Sequence, residues 1–205
     1  MKAKPQAHGR DPKSTRPVIK RATQHLGEVR LIGGAYRGRK LPVADHPGLR
    51  PTPDRVRETL FNWLGQDLNG WRVLDAFAGS GALGFEAASR GASEVLLLEV
   101  DTALVASLRS SRERLGAAAL KVERAEALRW MATCATQRFE AVLLDPPFDA
   151  GLGAEVVAAA ARIVVPGGFV YLEGPEPLAD APAGLTLHRS LRAGAVYAQL
   201  FLAAD

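Results

Sequence analysis

With 205 residues, of which 47% are hydrophobic, the chain is long enough for one α/β domain with a modest extension and too apolar to be wholly disordered. No apolar run is long enough to span a bilayer, and the basic N-terminus lacks the apolar stretch of a secretory signal, so we expect a cytoplasmic protein that does not bind membranes. The single cysteine, Cys134, excludes an internal disulfide and a cysteine-based zinc site, and we predict no metal site.

Positive charge is concentrated near the N-terminus. Residues 1–50 contain 12 Lys and Arg against 3 Asp and Glu, whereas the remainder contains 14 against 19. A basic arm on a neutral-to-acidic globule is typical of a protein that binds a phosphate backbone. Residues 1–27 mix Lys, Arg, Pro, Gln and Ser without periodicity, so we predict a disordered basic tail there. A solvated tail without any partner remains the alternative for that stretch.

Residues 28–50 are predicted to form a small N-terminal β-hairpin that binds RNA. Its strands, at 29–32 and 40–43, flank a glycine-rich turn, and one small platform carries Tyr36, Arg37, Arg39 and Lys40. A proline-rich loop at 50–54 then leads into a helix predicted at 55–64, with Thr52 or Asp54 as its N-cap.

Strands and helices alternate from Trp71 onward. Strands are predicted at 72–76, 94–100, 121–124, 141–145 and 168–173, and helices at 81–90, 102–115, 125–136 and 151–164. This alternation is typical of a doubly wound, mostly parallel α/β sheet. Two further strands, at 185–191 and 195–202, form a C-terminal antiparallel hairpin and bring the sheet to seven strands. That ending is more typical of methyltransferases than of nicotinamide-binding Rossmann domains, and we assign residues 51–205 to this domain.

A glycine-rich turn joins the first of these strands to its helix. The pattern G-x-G-x-x-G, which also occurs in dinucleotide sites, is satisfied by Gly79, Gly81 and Gly84. Asp75, before the turn, would repel a pyrophosphate but could accept from an ammonium, and Glu99, at the end of the next strand, can bind both ribose hydroxyls. Glu126 could accept from an adenine amino group or simply lie in the first turn of its helix. Three carboxylates around one glycine turn favour a cationic nucleoside such as S-adenosylmethionine.

A rigid turn follows the strand at 141–145 and consists of Asp145, Pro146, Pro147 and Phe148. The prolines fix φ and cannot continue a β-ladder, so the Asp145 carboxylate and nearby carbonyls have set positions beside an aromatic ring. Rigid acceptors next to a flat apolar face suit a planar group that bears an NH2, which predicts chemistry on an exocyclic amine. For this motif alone, a proline-rich loop with Asp145 as a turn former is the alternative.

With these two motifs in this order, the chain resembles the class I S-adenosylmethionine-dependent methyltransferases. Within that class it is similar to the bacterial 16S ribosomal RNA guanine-N2 methyltransferases of the RsmD type. The resemblance runs from about Arg30 to the C-terminus, and its most specific pieces are residues 30–34, 37–41, 50–62, 75–84 and 145–148.

The resemblance implies a Rossmann-like fold and S-adenosylmethionine as the cofactor. The implied cofactor-binding residues are Thr52, Asp75, Phe77, Ala78, Gly79, Ser80, Gly81, Glu99 and Glu126. The implied catalytic, amine-binding turn comprises Asp145, Pro146, Pro147 and Phe148. We assign RNA binding to the cations and the aromatic residue of the N-terminal region, namely Tyr36, Arg37, Arg39, Lys40, Arg50 and Arg55. The expected partner is ribosomal RNA, within the small subunit or an assembly intermediate, and the expected state is a monomer.

The expected reaction is methyl transfer to guanine N2. Asp145 and the Pro146 carbonyl would accept the two amine hydrogens and aim the nitrogen lone pair at the methyl carbon, while Phe148 stacks the extruded base. The alternatives are an amino methyltransferase that acts on DNA or protein glutamine, a nicotinamide oxidoreductase, and a non-catalytic ribosome-assembly factor that kept the fold.

Overall fold

The computed structural model describes residue 1 and residues 25–44, 54–147 and 151–205. Strands β1 (His25–Arg30) and β2 (Lys40–Ala44) form an antiparallel hairpin, and helix α1 (Asp54–Trp63) follows. The rest of the chain forms, in order, β3 (Arg72–Asp75), α2 (Ala82–Ser89), β4 (Glu94–Glu99), α3 (Thr102–Leu115), β5 (Leu120–Arg124), α4 (Ala127–Thr133), β6 (Phe139–Leu144), α5 (Gly153–Ile163), β7 (Val164–Gly174), β8 (Leu185–Ala193) and β9 (Val196–Ala203).

The main sheet contains seven strands in the order β5-β4-β3-β6-β7-β9-β8. Strands β3 to β7 run parallel, whereas β9 is antiparallel to both β7 and β8. The direction of strand addition reverses between β3 and β6, and in open α/β sheets such a reversal opens a crevice at the carboxyl edge. The topology confirms the predicted fold class, a doubly wound sheet with an antiparallel ending.

Apolar side chains cover both faces of this sheet. The hairpin, α1, α2 and α3 pack on one face, and α4 and α5 pack on the other. Strand β4 is buried from both sides, so Val95, Leu96, Leu97 and Leu98 form a continuous apolar run rather than an alternating one. None of the helices in the described ranges is long and apolar enough to cross a membrane.

Several predicted boundaries need correction. Strand β1 begins at His25, so residues 25–27, which we assigned to the tail, pair with β2. Strand β7 begins at Val164 rather than at 168, and its register with β6 is irregular where it passes through Pro166-Gly167-Gly168. Helix α4 is shorter than predicted, because the backbones of Glu126 and Cys134 are extended (ψ of 128° and 146°). The rest of the tail and the predicted boundary at 50/51 lie outside the described residues.

Candidate active site

Four carboxylates lie at the carboxyl edge of four neighbouring strands. Asp75 and Glu99 end β3 and β4, Asp145 follows β6, and Glu173 lies near the end of β7. Since these strands are adjacent and parallel, the chain brings together residues that lie up to 98 positions apart in the sequence. Within the described ranges, no group of three or more His, Cys, Asp or Glu side chains is arranged to hold a metal ion.

Asp75 is a deeply buried carboxylate among the residues predicted to bind the cofactor. It is 1% exposed, and its Oδ2 accepts a hydrogen bond from the Gly84 backbone N–H at 2.9 Å. Its Oδ1 is buried and has no hydrogen-bond partner among the described residues. Burial raises the pKa of Asp75 to about 7, and the negative charges of Asp145 and Glu99 add to that rise. Because the Asp145 and Glu99 carboxylates lie near it, the crevice is acidic, which favours a cationic ligand.

The glycine turn packs tightly against this carboxylate. Gly81 is the N-cap of α2, and the turn before it contains half-buried Phe77, Gly79 and Ser80 around buried Ala78. A Cβ atom on Gly84 would collide with Leu97, so this glycine allows α2 to approach the sheet closely. Gly81 serves packing as well, because a Cβ atom there would collide with Leu108 and Phe85.

Glu99 anchors the glycine turn from the neighbouring strand. Its Oε2 accepts from the Gly79 N–H at 3.0 Å, and its Oε1 accepts from the Val100 and Asp101 N–H groups at 2.8 and 2.9 Å. Each carboxylate oxygen has two lone pairs, so Oε1 is fully used and this half-buried side chain retains one lone pair, on Oε2, for a ligand hydroxyl. The predicted ribose contact is compatible with this geometry.

Glu126 is the N-cap of α4. Both of its oxygens accept from the first turn of α4, from Leu128 N–H at 3.0 Å and Arg129 N–H at 2.8 Å. The side chain is exposed, and this capping accounts for its position without a ligand. An adenine contact stays a prediction.

The predicted amine-binding turn follows β6 directly. Asp145 is half-buried, Pro146 is buried and Pro147 is exposed, while Phe148 lies outside the described residues, as do Arg50 and Thr52. Beside the turn is a cavity of about 250 Å³, whose lining includes Pro146, Pro147, Leu152, Glu173 and Pro175. The two prolines of the turn therefore border a recess between the ends of β6 and β7 and the start of α5.

The basic turn of the N-terminal hairpin lies at the other end of α2. The Ala35 N–H donates to the Ser89 carbonyl and the Tyr36 N–H to Ser89 Oγ, which places the turn at the last residue of that helix. Since α2 has eight residues, the turn is separated from the glycine motif by about 12 Å of helix. An RNA that reaches both regions must extend along this face of the domain.

The predicted RNA-binding side chains differ in their exposure and in their ion pairing. Arg37, Arg39 and Arg55 are exposed, and Tyr36 is half-buried. Lys40 is paired with Glu28 at 2.6 Å.

Sequence reasoning missed two sets of buried polar residues. One set comprises Arg57, Glu86 and Arg90, which join the hairpin to α1 and α2. The other comprises Tyr171 and Glu173, whose side chains are hydrogen-bonded at 2.9 Å. A signal for the second set was present, because Glu173 closes an apolar strand as Asp145 does on its neighbour.

Comparison with known proteins gives three concordant results. Residues 29–202 match the family model described as conserved hypothetical protein 95. The chain is 42% identical over 183 residues to the ribosomal RNA small subunit methyltransferase D of Escherichia coli strain K12, covering 85% of this chain and 90% of that protein. A protein of the same name from Haemophilus influenzae is 39% identical over 182 residues, covering 85% of this chain and 94% of that protein.

A solved structure shows the same architecture. The structure described as the putative methyltransferase yhhF from Escherichia coli superposes with a TM-score of 0.77 at 42% identity, over 87% of this chain and 99% of that chain.

Proposed function

Because this chain belongs to the family of the ribosomal RNA small subunit methyltransferase D, we propose that it transfers a methyl group from S-adenosylmethionine to the N2 amine of a guanine in small-subunit (16S) ribosomal RNA. Membership supports a methyltransferase, and the choice of N2 depends on one further observation. The turn at Asp145 and Pro146, a half-buried carboxylate beside a buried proline, borders a recess next to the negatively charged crevice.

The crevice suits S-adenosylmethionine better than a dinucleotide. The pKa of Asp75 is raised to about 7 by burial and by the charges of Asp145 and Glu99, so an added pyrophosphate would meet repulsion and a cation would be attracted. S-adenosylmethionine would supply an electrophilic methyl group on a sulfonium. Glu99 would bind the ribose hydroxyls, Asp75 would lie on the side of the ammonium group, and Thr52 would lie near the methionine carboxylate. The backbone at Phe77, Ala78, Gly79, Ser80 and Gly81 would line the cofactor.

The amine-binding turn would bind and orient the amine that accepts the methyl group. Guanine N2 is a weak nucleophile because its lone pair is delocalised into the ring. When Asp145 and the Pro146 carbonyl accept its two hydrogens, the nitrogen can pyramidalise and direct the lone pair along the transfer axis. The same two acceptors stabilise the positive charge that develops on nitrogen, and Pro147 keeps them in place. Phe148 would stack on the extruded base.

The basic N-terminal region would hold the RNA. Arg37 and Arg39 are exposed at the hairpin turn, and Arg55 is exposed at the start of α1. Together with Tyr36, Lys40 and Arg50 they would contact phosphates, which position an RNA without reading its sequence. The partner is ribosomal RNA, alone or within a small-subunit assembly intermediate, in the cytoplasm, and the protein acts as a monomer.

A methyltransferase that acts on amino groups of DNA or of protein glutamine is the second candidate, because the same turn would bind those amines. The concentration of cations in the N-terminal region favours RNA over a glutamine side chain, since a protein acceptor has no phosphate backbone.

The test uses ribosomal RNA from a strain that lacks this protein. The purified protein and isotopically labelled S-adenosylmethionine are added, and the modified nucleoside is mapped by mass spectrometry. N2-methylguanosine at a single position of the small-subunit RNA is the expected product. Label in another nucleoside, or in none with either naked RNA or assembled subunits, contradicts the proposal.

A further inference from the structure

Glu173 is a buried carboxylate beside the amine-binding turn. It is 2% exposed, and Oε1 accepts a hydrogen bond from the Tyr171 hydroxyl at 2.9 Å. Burial and the charge of Glu173 raise the pKa of Tyr171 well above 10, so the hydroxyl remains a proton donor at neutral pH. The Tyr171 hydroxyl therefore orients one oxygen of Glu173.

The register of the sheet places Glu173 beside Asp145. Leu144 of β6 pairs with Leu172 of β7, and Asp145 and Glu173 are the next residues along the two strands. The negative charge of Asp145 also contributes to the raised pKa of Tyr171, so both carboxylates lie near the same hydroxyl. Glu173 lines the recess of about 250 Å³ together with Pro146 and Pro147. An apolar cavity of about 150 Å³ is enough to bind benzene, so this recess has room for a planar ring.

Binding guanine at this turn leaves one hydrogen-bond donor to satisfy. Under the proposed function, Asp145 and the Pro146 carbonyl take the two hydrogens of N2, and the adjacent N1–H would lie next to them. A donor that is buried without an acceptor forfeits its bond to water and weakens binding. A carboxylate next to the amine-binding turn is the strongest acceptor that the chain could place there.

We propose that Glu173 accepts the N1–H of the target guanine and selects guanine over other purines that carry a 2-amino group. This inference rests on the proposed function, because it requires a guanine acceptor. In 2-aminopurine the 2-amino group is present, but N1 is a lone-pair acceptor that would face the carboxylate. Glu173 is thus a specificity residue that touches the base, while Tyr171 is a positioning residue.

A purely structural role explains less of the geometry. A Tyr171 hydroxyl needs only one acceptor, and a neutral amide or hydroxyl would serve. Burying a carboxylate costs more free energy than burying a neutral acceptor, and a second carboxylate nearby increases that cost. A bound base that presents N–H donors would add to the contacts that these two carboxylates already make.

The experiment compares two synthetic RNAs that carry either guanine or 2-aminopurine at the mapped position. Wild-type protein should strongly prefer guanine. In E173Q, the amide can donate to N1 of 2-aminopurine, so kcat/KM for guanine should fall at least about tenfold and the ratio of 2-aminopurine to guanine methylation should rise at least about tenfold. The control is E176Q, which removes the charge of an exposed glutamate that lines the same recess and should leave the ratio unchanged.

Two controls keep the result interpretable. S-adenosylmethionine affinity measured by calorimetry should be the same in wild type and E173Q. If E173Q does not fold, Y171F removes only the hydroxyl that orients Glu173, and the ratio should shift in the same direction by a smaller factor. The inference is overturned if folded E173Q has the same ratio of 2-aminopurine to guanine methylation as wild type. If E173Q does not fold, the same result in Y171F overturns it. If wild type makes no N2-methylguanosine, the proposed function fails and this inference fails with it.

Discussion

Two regions of this molecule bury charge, and they do so in opposite ways. At the hairpin, Glu86 is fully buried but is surrounded by donors: Ile32 N–H at 2.8 Å, Gly33 N–H at 2.7 Å and Arg90 at 2.8 Å. At the carboxyl edge, Asp75 is just as deeply buried, yet its Oδ1 has no hydrogen-bond partner among the described residues, and its pKa is raised by burial and, in addition, by the charges of Asp145 and Glu99.

This contrast separates a structural use of charge from a functional one. The Glu86 carboxylate is satisfied within the folded chain. Arg57 is also fully buried, and its Nη2 donates to the Arg30 carbonyl at 3.0 Å and to Asp54 at 2.6 Å, whereas its Nε and Nη1 have no hydrogen-bond partner among the described residues. Gly34 completes this docking contact, because a Cβ atom there would collide with the Ser89 carbonyl. The carboxyl edge instead concentrates negative charge that a cationic cofactor and a donor-rich base would neutralise. The first region should therefore control stability, and the second should control activity.

The largest effect is expected from removing the Asp145 carboxylate of the amine-binding turn. D145A should reduce methyl transfer by about 10³-fold or more, on the scale of removing a preorganised electrostatic interaction, with little change in cofactor affinity. D145N should retain part of the activity, because an amide oxygen still accepts a hydrogen bond. Single-turnover rates and calorimetry with S-adenosylmethionine check both statements. A fully active D145A would remove Asp145 from the mechanism.

Breaking the hairpin network should instead lower stability and leave activity unchanged. E86Q removes the carboxylate that pairs with the buried Arg90 guanidinium at 2.8 Å and lies 4.0 Å from that of Arg57, so the free energy of unfolding should fall by about 3–5 kcal/mol while the folded fraction retains its activity. E28Q is the matched control, because the Glu28–Lys40 pair is more than half exposed on both sides and should contribute less than about 1 kcal/mol. Denaturant unfolding measures the difference, and equal decreases in the two variants would contradict the assignment.

The pH dependence of stability reports on Asp75. Its pKa is about 7 in the folded protein, against about 3.9 for an unfolded aspartate. Between these values the unfolded chain releases a proton that the folded protein keeps, so this group makes the cofactor-free protein less stable as the pH rises from about 4 to 7. D75N should remove this decline, which amounts to about 4 kcal/mol at most. Unfolding of wild type and D75N at pH 5 and pH 8 tests this, and parallel pH profiles would show that Asp75 is ionised in both states.

A smaller effect is expected at the ribose side of the crevice. E99A should weaken S-adenosylmethionine binding by about 2–3 kcal/mol, because it removes charge-assisted hydrogen bonds and releases the Gly79 N–H. Calorimetry gives the dissociation constant directly. The control is E126A at the N-cap of α4, which should reduce stability by about 1 kcal/mol and leave cofactor affinity nearly unchanged if capping is its whole role. A dissociation constant for E99A equal to that of wild type would make Glu99 a structural anchor of the turn.

The smallest effect per residue is expected at the hairpin turn. Replacing Arg37, Arg39 and Lys40 with Ala should weaken RNA binding and lower its log-log salt slope by roughly 0.7–0.9 for each phosphate that is no longer neutralised, with cofactor affinity unchanged. Lys40 should contribute least, because it already pairs with Glu28. Exposed Arg189, on edge strand β8, provides the control substitution. The test is RNA affinity measured at several salt concentrations. Parallel plots of log affinity against log salt for wild type and the triple variant would place the RNA-binding surface elsewhere.

The sequence predicted those features that local patterns determine. The alternation of apolar runs and helix signals located every strand of the main sheet, and α3 has the predicted bounds. The glycine motif and the acids that close β3 and β4 pointed to the crevice, because parallel strands bring their carboxyl ends to one edge. Strand β7 was predicted four residues too short at its start, since Pro166-Gly167-Gly168 has the composition of a turn and only its pairing with β6 extends the strand through it.

Contacts between distant segments could not be predicted in the same way. Glu86 meets Ile32 and Gly33, which lie more than fifty positions earlier, and its helix has no apolar stripe that would reveal the docking face. The position of the hairpin turn, at the end of α2 that is far from the glycine turn, also depends on contacts between distant segments and could not be predicted. Glu173 had a sequence signal, but its place beside Asp145 depends on the pairing of β6 with β7.

The proposed methyl acceptor, the N2 amine of guanine, can be deleted from the RNA without changing the rest of the base. Inosine differs from guanosine only by lacking the 2-amino group, so we would place inosine at the mapped position of a synthetic RNA and measure both binding and methyl transfer. We expect this RNA to bind the protein with similar affinity and to receive no methyl group, while the guanosine RNA is methylated. Methyl transfer to the inosine base would contradict the proposal, because the acceptor atom would then lie elsewhere on the base.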